Sequence, residues 1–146
     1  MHQQCIRFVL GFSLVAAISV AGAASMTASL KAGKAELKAA GPLAFGPEGI
    51  LFVADPATAT VYALDPADSG GKQVAANVSA INEKIASLLG TTPDQILIND
   101  MAVHPISRKT YLSVSHGKGP SAAAVLLRVD AKGKIEQVSL DGIKHA

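Results

Sequence analysis

The sequence predicts an all-β fold: two four-stranded antiparallel sheets of one repeated pattern, with one short inserted helix between them and an N-terminal signal peptide in front. Three observations carry that reading. Short apolar runs rich in strand-forming residues alternate with Gly, Pro and Asp turns from Gly41 onward. The same order of runs returns after Ile98. A stretch of helical periodicity lies between the two copies. With 49% hydrophobic and 16% charged residues among 146, the chain is too apolar to be disordered and fits one domain.

At the N-terminus, His2 and Arg7 precede the uncharged run Phe8 to Val20, and the small residues Ala21-Gly22-Ala23-Ala24 follow. A charged start, an apolar centre and an Ala-x-Ala site are the parts of a secretory signal peptide, here 1–23. The apolar run is at the lower limit of the roughly 20 residues that cross a bilayer, so no stable membrane anchor is expected. The protein is expected outside the cytoplasm, in the periplasm or the extracellular space. Cleavage after Ala23 removes Cys5, the only cysteine, and with it any disulfide, thiol chemistry or thiolate metal site. Cys5 precedes the apolar run, which argues against a lipoprotein anchor. The net charge is only +2 and the lysines are scattered, so no nucleic-acid partner is expected. Segment 24–40, mostly Ala, Lys, Ser and Thr with no aromatic residue and a single Glu, reads as a flexible tether into the folded part, 41–146.

The first copy, 41–76, offers four strands: Leu43 to Phe45, Ile50 to Ala54, Thr60 to Leu64 and Gln73 to Ala75. Gly46-Pro47-Glu48-Gly49 and Asp55-Pro56-Ala57-Thr58 separate the first three. Both are tight-turn compositions in which Pro presets φ and Gly or Asp tolerates unusual backbone angles. The second copy, 99–141, repeats the grammar with Met101 to Val103, Thr110 to Val114, Ala123 to Val129 and Ile135 to Leu140. Side by side, Leu43-Ala44-Phe45-Gly46-Pro47 matches Met101-Ala102-Val103-His104-Pro105, and Ile50-Leu51-Phe52-Val53 matches Thr110-Tyr111-Leu112-Ser113. Val61-Tyr62-Ala63-Leu64-Asp65 matches Leu126-Leu127-Arg128-Val129-Asp130, with the terminal aspartate recurring in register. Each copy is a four-stranded meander of roughly 40 residues, the size of one propeller blade. In the insertion, 77–98, Ile81, Ile85, Leu88 and Leu89 form one helical stripe, with Ser79 placed to cap its start and Gly90 its end. Thr92-Pro93-Asp94-Gln95 starts one further turn leading into Ile96.

The phrases Gly49-Ile50-Leu51-Phe52-Val53-Ala54-Asp55 and Val61-Tyr62-Ala63-Leu64-Asp65 resemble the second and third blade strands of the six-bladed propellers of the NHL-repeat and SMP-30/gluconolactonase-like group. The resemblance covers Pro42 to about Asp141. It implies the fold and leaves the reaction open, because such propellers host lactonases, esterases, lyases and pure binding scaffolds. Asn99-Asp100 before Met101 looks like the gluconolactonase-like Asn-Asp-Gly segment, whose Asn faces substrate, with Met101 in place of the Gly. Ala40-Gly41 stand where that branch carries a metal-binding Glu, and its other metal ligands fall in blades absent here. A divalent cation such as calcium is therefore implied only for a full-length propeller.

Four residues are candidates for ligand binding: Asn99, Asp100, His104 and His116. Asn99 and Asp100 sit where the insertion feeds an innermost strand, and a carboxylate there can take a proton or a cation; the simpler role for Asp100 is to cap a turn. His104, aligned with Gly46, reads as an exposed turn residue, and one unpartnered histidine makes no metal site. His116-Gly117-Lys118-Gly119-Pro120 reads as a basic hairpin loop whose amides could hold a carboxylate or phosphate, without the spacing of a P-loop. No catalytic set is assigned. The function expected is an exported binding or scaffold module for an unknown small molecule or protein, the alternative being part of a metal-dependent lactonase or esterase. Two blades leave apolar faces at both ends, so truncation of a longer propeller, self-assembly or a covering partner is expected. Truncation is favoured because Leu140 to Ala146 stops where a third blade would start.

Overall fold

The computed structural model describes residues 24–71 and 77–146. The signal peptide and the expected strand Gln73 to Ala75 lie outside the described residues. The described chain is mostly β: β1 (Lys31–Gly33), β2 (Leu43–Phe45), β3 (Leu51–Asp55), β4 (Thr60–Asp65), the helix α1 (Ile81–Leu89), β5 (Ile96–Val103), β6 (Thr110–His116), β7 (Ala123–Val129), β8 (Ile135–Gln137) and β9 (Ile143–His145). They form a five-stranded antiparallel sheet in the order β1-β9-β4-β3-β2 and a four-stranded one in the order β5-β6-β7-β8.

The second sheet is the meander that the sequence predicts, with β5 longer than expected and β8 shorter. Its two faces are both apolar, one packed on the first sheet and the other covered in part by α1. Tyr111 and Leu126 face the first sheet and share a core with Leu43, Leu51, Val53 and Leu64. Leu112, Val114, Val125, Leu127 and Val129 face α1, where Ile85 is fully buried among them. Alternation of side chains across a strand turns each apolar run into two such sets. Helix α1 ends as expected on Gly90 in the left-handed conformation, its amide bonding back to the last turn, but starts on Ala80, which is also left-handed and offers no side-chain cap, and not on Ser79.

Two expectations fail in the first sheet. The C-terminal residues do not open a third blade: β9 runs beside β4, with Ala63 and Ala146 exchanging both amide bonds, and takes the place expected for Gln73 to Ala75. Segment 24–40 is also not a loose tether. Lys31–Gly33 pairs with β9, Ala35 and Ala40 are buried in the shared core, and the fully buried Asp55 carboxylate accepts the amides of Lys38 (2.7 Å), Ala39 (3.2 Å), Ala57 (3.0 Å) and Thr58 (3.3 Å). Burial opposes the charge of Asp55, yet the amides of Lys38 and Ala57 hold its carboxyl below the usual range. The lysines and small residues of this segment hide its anchors, which are Leu30, Ala35, Leu37, Ala40 and backbone amides.

The cross-strand register also corrects the repeat. Leu51 stands opposite Leu64, whereas Thr110 stands opposite Val129. The second strands therefore match as Leu51 to Thr110 and Phe52 to Tyr111, one residue from the side-by-side alignment. The first and third strands match as aligned.

Candidate functional site

Asn99 and Asp100 lie where the edge strand β5 of the second sheet meets the edge strand β2 of the first, and both are engaged with the protein. A bulge in β5 at this point breaks the pairing between Ile98 and Asp100 and lets both side chains reach the first sheet. Asn99 Nδ2 donates to Ala40 O (2.7 Å) and Ser115 Oγ (2.9 Å). Asp100 Oδ2 accepts the Leu43 amide (2.8 Å) and Oδ1 its neighbour Met101's amide (2.8 Å), and these bonds hold its carboxyl below the usual range. The pair staples β5 to β2.

His104 is buried, not an exposed turn residue. Its Nδ1 accepts the amides of Ile106 (3.2 Å) and Ser107 (3.0 Å), so that nitrogen is unprotonated and the ring closes the β5–β6 turn. The ring stands edge-on to Phe45 with centroids 4.9 Å apart. It also fills the space over Gly49, where an added Cβ would lie 2.5 Å from Nε2 and where φ is +77°. Burial pushes its pKa below the ordinary value, against the pull of Asp68. His116 is the last residue of β6, opposite Ile96 and Ala123. It lies at the far end of β5 from His104, about 25 Å away along an eight-residue strand. The four candidates therefore do not converge. The loop after His116 spends the Gly117 amide on Gln95 O (2.8 Å), and Lys118 pairs with Asp94 (3.2 Å) at the surface.

A network that the sequence does not advertise lies between the sheets. Asp68, in the Pro66 to Gly71 connection, accepts from Lys109 Nζ (2.7 Å), Tyr111 Oη (2.9 Å) and Ser107 Oγ (3.0 Å). Burial opposes the charge of Asp68, but Lys109, Tyr111 and Ser107 hold its pKa below the usual range. Burial and the adjacent Asp68 carboxylate push the Tyr111 phenol well above its ordinary range. Next to this network a groove of about 460 Å³ opens between the outer strands of the two sheets. Arg128, Val138, Ile143 and Lys144 line it together with Asp65 and Asp141. Arg128 reaches it half-buried, its Nε donating to Glu136 Oε2 (3.2 Å) and its guanidinium lying against the Tyr111 hydroxyl. The groove thus presents two cations, two carboxylates and an apolar floor. Among the described residues no group of three or more His, Cys, Asp or Glu side chains could hold a metal ion. No family model, curated protein or solved structure matches the chain.

Proposed function

We propose that the protein is an exported, propeller-type binding or scaffold module that holds a small charged ligand in the groove beside Arg128. The groove is the observation that carries this reading: it opens between the two sheets, with the Arg128 guanidinium in its wall beside Glu136 and Tyr111. Arginine in such a position recognises carboxylates by a planar two-point contact. Export rests on the pattern of Arg7, Phe8 to Val20 and Ala21 to Ala24. The hydrolase alternative draws no support from Asn99 and Asp100, whose polar atoms already serve the sheet junction.

Thermal unfolding of the mature chain against a panel of small carboxylates and amino acids, at constant ionic strength, tests the ligand site. A ligand present at a hundred times its Kd adds about 2.7 kcal/mol of stability. Stabilisation by a carboxylate in the wild type and its loss in Arg128→Met support the reading. An equal shift in both proteins, or no shift from any compound, overturns it.

A further inference from the structure

The corrected register places the two sheets in one rotational sense. Leu43, Phe45, Leu51 and Val53 of the first sheet point at the second. Their register equivalents in the second sheet, Met101, Val103, Thr110 and Leu112, share the face that points away, towards α1. Conversely, Tyr111 and Leu126, which the second sheet turns to the first, are the equivalents of Phe52 and Val61 on the first sheet's outer face. The two sheets are thus stacked front to back, each presenting opposite faces, like successive members of a ring.

That arrangement leaves one copy of each half-contact open. On the outer face of the first sheet Phe52 is 37% and Val61 63% exposed, although Tyr111 and Leu126 are buried at the equivalent positions. On the second sheet α1 packs across the far face from Ile96 and Ile98 of β5 to Ile135 of β8 and leaves only the other end of β5, Met101 at 63% and Val103 at 46% exposed, although Leu43 is buried and Phe45 packs on the core at the equivalent positions. The exposed apolar residues fall on the two surfaces that the internal contact would use if it were repeated once more.

We infer that these two surfaces bind each other between copies of this chain, the Phe52–Val61 face of one copy receiving the Met101–Val103 edge of the next. The contact is heterologous, head to tail, and so generates rings or open chains rather than a two-fold pair. Asp65 and Lys144 stand in register as neighbours on the outer face, one charge of each sign. The inference names the partner in the scaffold reading above and rests on it, and Asp65 and Lys144 border both the outer face and the ligand groove.

Light scattering coupled to size exclusion on the mature chain tests it, with circular dichroism to confirm folding. The wild type is expected at a multiple of the monomer mass. Val61→Lys and Met101→Lys, both at exposed positions, are each expected to be folded monomers with self-affinity reduced at least about tenfold. Mixed together, they are expected to give a one-to-one pair that grows no further, because each retains the surface the other has lost. A monomeric wild type overturns the inference and leaves the thermal-shift test of the groove standing. Assembly that survives in Met101→Lys alone also overturns it, since that requires the first sheet's outer face to bind itself.

Discussion

The second sheet is built from four consecutive strands, whereas the first borrows β1 and β9 from distant parts of the chain. The difference shows in how each is held. Hairpins join every pair of neighbours in the second sheet, and an amphipathic helix covers part of its far side. The first sheet depends on a strand from the C-terminus, on one from the supposed tether, and on a buried aspartate that grips both that segment and the β3–β4 turn. Local pairing closes short loops and non-local pairing closes long ones, so the first sheet carries the larger entropic cost and the more fragile contacts.

Removing 143–146 is the strongest way to break this contrast. It strips β4 and β1 of their shared neighbour and removes the buried Ile143, so a loss of at least about 4 kcal/mol is expected from burial and ladder bonds together. Denaturant unfolding followed by hydrogen exchange should show protection lost in β2 to β4 before β5 to β8; equal loss in both sheets would remove the distinction. Asp55→Ala leaves four amides without their acceptor, and a cost of roughly 3 kcal/mol is expected from equilibrium unfolding. Because the folded pKa of Asp55 is depressed, its contribution is present above the ordinary carboxylate range near pH 4 and is lost as the pH falls through the lower folded value. The acid unfolding midpoint of Asp55→Asn should therefore depend less steeply on pH than that of the wild type.

His104 gives a smaller effect in a separate window. Burial lowers its pKa, so the folded state takes up its proton less readily than the unfolded chain does. Stability is full above about pH 6.5 and declines as the pH falls below it towards the folded value. His104→Asn, which keeps an acceptor for the Ile106 and Ser107 amides, should flatten the melting temperature between pH 7 and 5; an unchanged slope would mean that another group titrates there. Lys118→Gln, at an exposed pair with Asp94, should change stability least, within the error of a thermal melt.

The second sheet was legible in the sequence because its apolar runs are contiguous and its turns carry Gly, Pro and Asp. The recurring terminal aspartate was legible too, and its reason is local. Asp65 accepts the Ala67 amide and Asp130 the Lys132 amide, each two residues on, so each begins the turn that ends its strand. The first sheet was half legible: β2 to β4 follow from pattern, but Ile143-Lys144-His145 is too short to announce a strand and finds its place only through pairing with β4. The site was least legible. Asp68 sits in a stretch of turn residues, and nothing in Pro66-Ala67-Asp68-Ser69 separates it from the solvent-facing Asp of an ordinary turn until Lys109, Tyr111 and Ser107 close on it. His104 misleads for the opposite reason, since a histidine before proline suggests an open turn and only the packing of Phe45 and Gly49 buries it.

The place of the C-terminal strand decides the architecture, and one nuclear magnetic resonance measurement reads it. Leu64 and His145 form the wide, non-hydrogen-bonded pair next to Ala63 and Ala146, where opposed backbones come closest, about 4.5 Å between Cα atoms. A strong Overhauser contact between the α protons of Leu64 and His145 is the result expected. Its absence, with contacts from Leu64 to the 73–75 segment instead, would contradict the fold and return the first sheet to a meander of consecutive strands.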